Sequence, residues 1–215
     1  WHGLEDKEER YRKRYLDLIM NPEIKKVFEI RSKIFEAIRE FMSSRNFIEV
    51  ETPILQPVYG GATARPFESK LNALNMRVYM RISNELYLKR LIVGGYERIF
   101  EFSPDFRNEG IDRYHNPEFT QVETMWAYAD YKDNMKFAEE MIAHVVKKIH
   151  KKTKIKIGDK EINFKTPWKR MSFIGAIKSK AGINFVKISS LADAKKAAEK
   201  IGVATDKCET IGEVM

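Results

Sequence analysis

The sequence is almost without cysteine. Its single thiol, Cys208, among 215 residues excludes a disulfide within the chain and a zinc site built from cysteines. We therefore expect a reducing, cytoplasmic compartment. The sequence also lacks an apolar run as long as a membrane span, and it does not open on a signal peptide. We expect no membrane partner.

Two common nucleotide-binding patterns, GxxxxGK[ST] and GxGxxG, are absent. No Ser–His–Asp or Cys–His set can be argued. Two of the four histidines, His144 and His150, do not have the spacing of metal ligands, and we predict no metal ligand in this chain. If the protein uses a nucleotide, it must hold it in some other way and act without a protein nucleophile.

The amino-acid composition is typical of a folded, basic protein. A hydrophobic content of 43% and an aromatic content of 12% are typical of a soluble domain, and 215 residues can build one domain with a core. The net charge of +8 favours a polyanionic partner such as nucleic acid. Lysine and glutamate are interspersed, however, and basic residues spread evenly over the surface explain the net charge equally well.

One stretch, residues 98–130, concentrates polar side chains between two predicted strands. The strands run from Arg98 to Phe106 and from Phe119 to Ala129, and the second carries an acid, Glu123, among apolar neighbours. The loop between them holds Arg107, Asn108, Glu109, Arg113, His115 and Asn116. Loops held by a rigid scaffold often bind ligands. A solvated hairpin with surface charges explains these residues equally well.

Before this stretch, the sequence predicts a long amphipathic helix. Asn21, Pro22 and Glu23 form a start signal, and apolar residues then recur at a spacing of three to four until about Arg45. A strand over residues 47–53, stopped by proline, follows.

Other elements are predicted from caps and turns. They are a strand over 77–82, a helix capped by Ser83 and ended by Gly94-Gly95, a helix starting at Asp130 or Asp133, a hairpin over 154–164, and helices capped by Ser172 and by Ser189 or Ser190.

Five stretches, in order, resemble the class II aminoacyl-tRNA synthetases, and their wording most resembles the lysyl-tRNA synthetases. They are RYRKRYLDLI (10–19), GGATARPF (60–67), NELYLKRLIVGG (84–95), the pair FRNEG and HNPEFT (106–120), and AYADY (127–131). The resemblance implies an α+β fold: a class II synthetase-like antiparallel β-sheet flanked by helices, incomplete at the C-terminus.

The resemblance also implies a division of the chain. Residues 1–20 correspond to a connector from a missing N-terminal anticodon-binding domain. Residues 21–215 correspond to the N-terminal two thirds of the catalytic domain, with motif 1 at about 21–55 and motif 2 at about 98–129. Motif 3, with a second essential arginine, is absent. We therefore expect this chain to be part of a longer protein and to be inactive alone.

For ATP, the resemblance assigns roles to the motif 2 residues. Arg107 is the expected catalytic residue and bridges the α-phosphate of ATP and the carboxylate of lysine. Glu109 accepts from the adenine amino group, and Phe119 stacks on adenine. His115 and Asn116 contact ATP around its phosphates. ATP is a substrate, and Mg²⁺ is expected, with its protein ligands in the missing C-terminal part.

For lysine, the resemblance assigns Gly61, Glu85, Arg107, Glu123 and Met125. Glu85 binds the α-amino group, and Glu123 binds the ε-ammonium. A glycine such as Gly61 lets the backbone approach a ligand closely. Met125 departs from the family, which usually has a tyrosine at this position that touches the lysine side chain.

The implied function is a lysine–tRNA ligase with lysine, ATP and tRNA(Lys) as partners. A homodimer through motif 1 is also implied. Two alternatives share parts of the pattern: an enzyme that attaches lysine to a translation elongation factor, and a non-catalytic binding module that kept the fold.

Overall fold

The computed structural model describes residues 3–215. The chain forms two compact units, the first ending at Thr166 and the second running from Pro167 to Met215. Each unit has its own cluster of buried apolar side chains. From its length, the chain can form one domain, but length does not show that the last 49 residues form a separate unit.

The first unit holds five helices and eight strands among its described residues. The helices are α1 (Lys7–Arg12), α2 (Arg14–Met20), α3 (Pro22–Ser44), α4 (Glu85–Val93) and α5 (Tyr131–His150). The strands are β1 (Ile48–Glu49), β2 (Leu55–Gln56), β3 (Glu68–Leu71), β4 (Met76–Met80), β5 (Arg98–Phe106), β6 (Glu118–Trp126), β7 (Lys154–Ile157) and β8 (Lys160–Asn163). A short 3-10 helix, Asn72–Leu74, joins β3 to β4. None of the helices within residues 3–215 is both long and apolar enough to cross a bilayer.

The main sheet has the order β1-β5-β6. Strands β5 and β6 are antiparallel over their whole length, from the pair Arg98–Trp126 to the pair Phe106–Glu118. Strand β1 is parallel to β5, so the predicted antiparallel sheet is mixed. Parallel neighbours need a crossover connection, and here it contains β2, β3, β4 and α4. The predicted α+β class is confirmed.

The two faces of β5 and β6 differ in chemistry, since side chains alternate along a strand and paired residues share a face. One face carries Phe100, Phe102, Val122 and Trp126, which pack with Phe41 and Met42 of α3, with Phe47, and with Phe137 of α5. The other face carries Glu101, Ser103, Asp105, Phe119, Gln121, Glu123 and Met125. The helices thus cover an apolar face, and the polar groups gather on the opposite one.

A second sheet, of order β2-β4-β3, meets the main sheet at the end of β4. The N–H of Arg81 donates to the carbonyl of Ile54 at 2.9 Å, and the carbonyl of Arg81 accepts from Phe106 N–H at 2.9 Å. Arg81 therefore connects the end of β4 to the end of β5, just before Arg107.

Several predicted boundaries are wrong by a few residues. The strand predicted over 47–53 is reduced to the two residues of β1, although the N–H of Val50 still donates to the carbonyl of Phe100 at 2.9 Å. The strand predicted over 119–129 starts at Glu118 and ends at Trp126. Tyr128 adopts a left-handed φ of 64°, which ends the strand, and its side chain is 98% exposed.

The helix starts are mostly confirmed. Asp130 caps α5 in a capping box with Asp133, which resolves the predicted alternative. Helix α3 starts at Pro22, but the side chain of Asn21 donates to Asp17 at 2.7 Å instead of capping the helix. Asn84, not Ser83, is the cap residue of α4, although the Ser83 hydroxyl accepts from Glu85 N–H at 3.1 Å.

In the predicted connector over residues 1–20, α1 and α2 cover Lys7–Arg12 and Arg14–Met20; Trp1 and His2 lie outside the described residues. Asp17 of α2 is fully buried and accepts from Arg10 at 2.7 Å and from Arg14. Burial raises the pKa of Asp17, but the hydrogen bonds from Asn21, Arg10 and Arg14 outweigh it and lower the pKa below its usual value. This ionised carboxylate ties α1, α2 and the start of α3 together.

The second unit contains α6 (Phe173–Ala181), α7 (Leu191–Glu199) and α8 (Ile211–Val214), with a 3-10 helix at Phe185–Lys187. Ser172 and Ser190 cap α6 and α7, as predicted. Its core consists of Phe185, Ala194, Ala198 and Val214.

A buried ion pair lies at the junction of the two sheets. The Nη1 atom of Arg81 donates to Glu101 Oε1 at 2.7 Å, and both side chains are 2% exposed. The same guanidinium donates to the carbonyls of Pro104 at 2.9 Å and of Thr52 at 3.0 Å. The Glu101 carboxylate also accepts from Thr52, through its N–H at 3.1 Å and its hydroxyl at 2.7 Å.

We predict that Arg81→Met destabilises the first unit by about 3–5 kcal/mol, because it leaves Glu101 charged, buried and without its cation. Hydrogen exchange of the β5 and β6 amides, followed with denaturant, measures this loss. Arg77→Met is the matched control, since Arg77 is an exposed arginine on β4 that lies 3.7 Å from Glu68. The control should change stability by less than about 1 kcal/mol. Equal effects of the two substitutions would contradict the role of the buried pair.

Candidate active site

Three of the residues predicted to bind lysine meet at the start of α4. Gly61 has a φ of +86°, and a Cβ at this position would lie 2.9 Å from Ser83 Oγ and 2.9 Å from Glu85 Cβ. The Ser83 hydroxyl lies 3.5 Å from Glu123 Oε2. Gly61, Glu85 and Glu123 therefore surround one hydroxyl, and only glycine fits the first position.

The charge of the Glu85 carboxylate acts on that of Glu123. Burial raises the pKa of Glu123, and the negative charges of Glu85 and Asp105 raise it further. Gln121 donates to Glu123 Oε2 at 3.0 Å. The result is a half-buried, negative pocket, which can bind a cation and stabilise it against solvent.

Glu85 is engaged on its outer side by Lys89, one helical turn further along α4. This ion pair is on the exposed side of the helix, and such pairs contribute little to stability. The ammonium of Lys89 shows that the Glu85 carboxylate is accessible to a primary ammonium group.

Arg107 lies beside this pocket and holds its place through two contacts. Its guanidinium is 5.0 Å from the ring centroid of Phe119, and its Nε donates to the carbonyl of Ile82 at 3.4 Å. Because Ile82 directly precedes Ser83, the arginine and the two carboxylates share one side of the main sheet. Phe119 presents an aromatic ring next to a fixed cation.

Glu109 and its neighbour contact the loop that contains Gly61. The N–H of Arg65 donates to Glu109 Oε1 at 3.2 Å, and the N–H of Asn108 donates to the carbonyl of Arg65 at 2.7 Å. Arg65, Asn108 and Glu109 line an open groove together with Tyr59, Thr63, Ala64 and Pro66. The predicted adenine contact of Glu109 thus lies in a groove between two loops.

His115 and Asn116 bind within their own loop. The Nδ1 atom of His115 is 2.7 Å from Asp112 Oδ2, and its side chain is 74% exposed. Asn116 donates to the carbonyl of Glu118 at 2.6 Å. These side-chain contacts of the two predicted phosphate-binding residues stay within residues 112–118.

Met125 lies on the polar face of β6, two residues after Glu123 and opposite Ile99. It is half-buried, and it adds an apolar side chain to this end of the face. Residue order on the strand therefore places Met125 beside the acid, as the resemblance implies.

Sequence reasoning missed most of the residues that support the pocket. They are Arg81, Asn84, Glu101, Asp105 and Gln121, and Ser83 was predicted only as a cap. One signal was available: Arg81, directly after β4, and Glu101, within β5, are charged residues with an apolar neighbour on each side. Such residues are rarely buried unless they are paired.

The described residues contain no group of three or more His, Cys, Asp or Glu side chains that could hold a metal ion. The acids of the pocket therefore do not form a Mg²⁺ site within residues 3–215.

A comparison with known families agrees with this geometry. The family described as tRNA synthetases class II (D, K and N) matches residues 6–211. The chain belongs to this class II family.

Curated relatives of this class II chain carry the name lysine–tRNA ligase. The protein of Clostridium novyi is 51% identical over 199 residues, which is 93% of this chain and 39% of the relative. Those of Carboxydothermus hydrogenoformans and Rhizobium meliloti are 47% and 48% identical over the whole chain and over 44% and 43% of the relatives. The chain therefore spans about two fifths of the length of the curated relatives it matches.

The pocket contains a second acid whose pKa is raised, Asp105. Asp105 is fully buried, and its Oδ1 lies 3.2 Å from Arg81 Nε. Burial raises the pKa of Asp105 from 3.8 to about 6, although the charge of Arg81 opposes this. The protonated form is thus favoured by folding, so its stabilising contribution is full below about pH 4 and is lost as the pH rises through about 6.

We predict that wild-type stability falls relative to Asp105→Asn between about pH 4 and pH 7, by about 3 kcal/mol at most. Urea unfolding of both proteins across this range measures the difference. Asp112→Asn is the control, because hydrogen bonds from the N–H of Tyr114 and from His115 lower the pKa of exposed Asp112. A free energy difference between wild type and Asp105→Asn that does not change with pH would show that Asp105 stays ionised.

Proposed function

We propose that the chain is part of a lysine–tRNA ligase, which activates lysine with ATP to lysyl-adenylate and transfers it to the 3′ end of tRNA(Lys). The observation that carries this proposal is the pair of carboxylates, Glu85 and Glu123, around Ser83, with Arg107 on the same side of the sheet. Lysine has two ammonium groups and one carboxylate, and this arrangement is complementary to all three. The names of the relatives support the proposal.

Each carboxylate takes one ammonium group of the substrate. Glu85 binds the α-ammonium at the start of α4, beside the backbone of Gly61. Glu123 binds the ε-ammonium deeper on the face, next to Met125. A half-buried acid discriminates against amino acids without the amine, because its charge is then left unpaired; such sites can discriminate by about 10⁴ or more.

ATP binds on the other side of Arg107. Phe119 stacks on adenine, Glu109 accepts from the adenine amino group, and His115 and Asn116 contact the phosphate region. The hydrogen bond from Arg65 N–H to Glu109 Oε1 still leaves the second carboxylate oxygen of Glu109 available. The exposure of His115 leaves its loop free to close over a ligand.

The reaction proceeds by attack of a lysine carboxylate oxygen on the α-phosphorus of ATP. A new oxygen–phosphorus bond forms, and the bond to pyrophosphate breaks. Arg107 binds both anions, because its planar guanidinium donates to two oxygens and stays charged. Catalysis thus comes from positioning and electrostatic stabilisation. In the second half-reaction a tRNA hydroxyl takes the lysyl group from the adenylate: an ester bond forms, the acyl–phosphate bond breaks, and AMP leaves. Since this reaction serves translation, the proposed compartment is the cytoplasm. Mg²⁺, which ATP chemistry of this kind uses, is proposed to act with groups outside residues 3–215.

We predict that Arg107→Ala lowers lysine-dependent ATP–pyrophosphate exchange at least 100-fold, because two or more charged hydrogen bonds are lost.

Glu123→Gln should raise the KM for lysine at least tenfold and leave the KM for ATP almost unchanged. The assay uses this sequence extended through the rest of a class II catalytic domain, beside the 215-residue chain, for which we expect little exchange.

Arg113→Ala is the matched control for this assay, since Arg113 lies in the same loop, exposed and 5.8 Å from the ring centroid of Tyr114. Normal exchange in Arg107→Ala would refute the assignment of the catalytic arginine. An extended wild-type protein that exchanges without lysine, or not at all, would refute the ligase proposal.

We also propose that the protein is a homodimer through residues 21–53. The support is that several large apolar side chains within this segment are exposed. They are Val27, Phe28 and Ile30 on α3 and Ile48 on β1. A two-fold contact is the commonest oligomeric arrangement.

Sedimentation should then give a mass of twice 25.2 kDa at micromolar concentration. We predict that Val27→Asp produces a monomer, because a charge would be desolvated in the interface. Val93→Asp is the control, since Val93 is also an exposed valine but lies at the end of α4. A monomeric wild type, or equal dissociation by both substitutions, would contradict the assigned interface.

A further inference from the structure

A chain of hydrogen bonds connects the buried ion pair to the acid of the pocket. The Nδ2 atom of Asn84 donates to Glu101 Oε2 at 2.9 Å. Its Oδ1 atom accepts from Gln121 Nε2 at 3.3 Å. The same Nε2 group donates to Glu123 Oε2 at 3.0 Å. Asn84 and Glu101 are fully buried, so the first link is shielded from water.

The direction of this chain is determined by charge. Glu101 is held by Arg81 at 2.7 Å and can only accept, so Asn84 must turn its NH₂ group towards it. The oxygen of Asn84 then faces Gln121, which must offer its own NH₂ group. That group also meets Glu123. The Arg81–Glu101 pair therefore orients two amides and presents a donor to the acid.

We propose that Gln121 is a positioning residue for amine selection: its side-chain amide, oriented by Asn84, holds the Glu123 carboxylate in place for a substrate ammonium group. The inference rests on the proposed function for the identity of the substrate. Gln121 acts through Glu123 and does not itself contact the reacting atoms. Nothing in the motif pattern singles it out, because glutamine on a strand normally faces solvent.

The charges around Glu123 explain why a donor matters here. Glu85 and Lys89 face it from α4, and Asp105 and Glu101 share its face from β5. Burial and the neighbouring acids raise the pKa of Glu123. A hydrogen bond to the ionised form opposes this shift. Without it, a larger share of Glu123 is protonated at a given pH, and binding of an ammonium group weakens.

The test compares wild type with Gln121→Met and Gln121→Glu. Methionine has nearly the same shape and no donor, and glutamate replaces the donor with a charge of the same sign as Glu123. The Glu123 carboxyl carbon is titrated by ¹³C NMR in glutamate-labelled protein and is assigned with Glu123→Gln. L-lysine and ATP binding are measured by calorimetry between pH 6 and pH 8.

We expect the Glu123 titration midpoint to move to higher pH in Gln121→Met and further in Gln121→Glu. L-lysine affinity should fall about tenfold or more in Gln121→Met, with the larger loss at the lower pH, while ATP affinity stays unchanged. Thr124→Val is the control, because Thr124 is the next residue after Glu123 on β6 and lies on the opposite face. It should leave both the midpoint and the affinity as in wild type.

The outcomes separate this inference from the ligase proposal. Unchanged midpoints and unchanged L-lysine affinity in both Gln121 variants would overturn the inference, whatever the protein's activity. A shifted midpoint together with wild-type protein that binds no L-lysine would support the role of Gln121 towards Glu123 and would refute lysine as the substrate. Loss of ATP and L-lysine binding together, without a midpoint shift, would mean that Gln121 is only structural.

Discussion

The ion pair between Arg81 and Glu101 is the interaction on which the rest of the first unit depends. Besides the bond within the pair, five hydrogen bonds of 3.1 Å or less reach it. They come from the N–H, the hydroxyl and the carbonyl of Thr52 after β1, from the carbonyl of Pro104 on β5, and from the amide of Asn84 at the start of α4. Two buried charges are costly unless they are fully hydrogen-bonded. Here both charges are hydrogen-bonded, so Thr52, β5 and the start of α4, which supply those bonds, cannot move independently. The positions of the residues that follow them are therefore fixed relative to one another.

Side chains alternate along β5 and β6, so the residues that stabilise the core lie on one face and the polar residues of the pocket lie on the other. Phe100 and Phe102 face α3 and α5, and their burial stabilises the fold. Glu101, Asp105 and Glu123 face the other way. Burial, together with the repulsion between their negative charges, raises the pKa of Asp105 and of Glu123. Arg81 and Arg107 reduce this repulsion without removing it. A pocket with excess negative charge and the guanidinium of Arg107 beside it is complementary to the proposed substrate, which has two positive groups and one negative group.

Much of the local structure follows from sequence patterns. The helix that starts at Pro22, the capping box of Asp130 and the caps at Ser172 and Ser190 depend on a few neighbouring residues. Boundaries failed where backbone conformation decided them, as at Tyr128 with its left-handed φ. Of the site, Arg107, Glu85 and Glu123 could be named from motif wording, but Arg81 and Gln121 could not. Their roles depend on partners 20 and 37 residues away in the chain, and no periodicity encodes such a partner.

By itself, the sequence determined the family, the α+β class, the order of the longer helices and strands, and the identity of the charged side chains. These depend on residue types and short spacings. Tertiary structure alone decided that β1 joins the sheet in parallel, that residues 167–215 form a separate unit, and that the acids from α4 and β6 meet around Ser83. It also decided that Asn84 and Gln121 present donors to Glu101 and Glu123. The physical reason is that pairing register and burial bring together groups distant in sequence, and only their distances show which charge is compensated and which remains for a ligand.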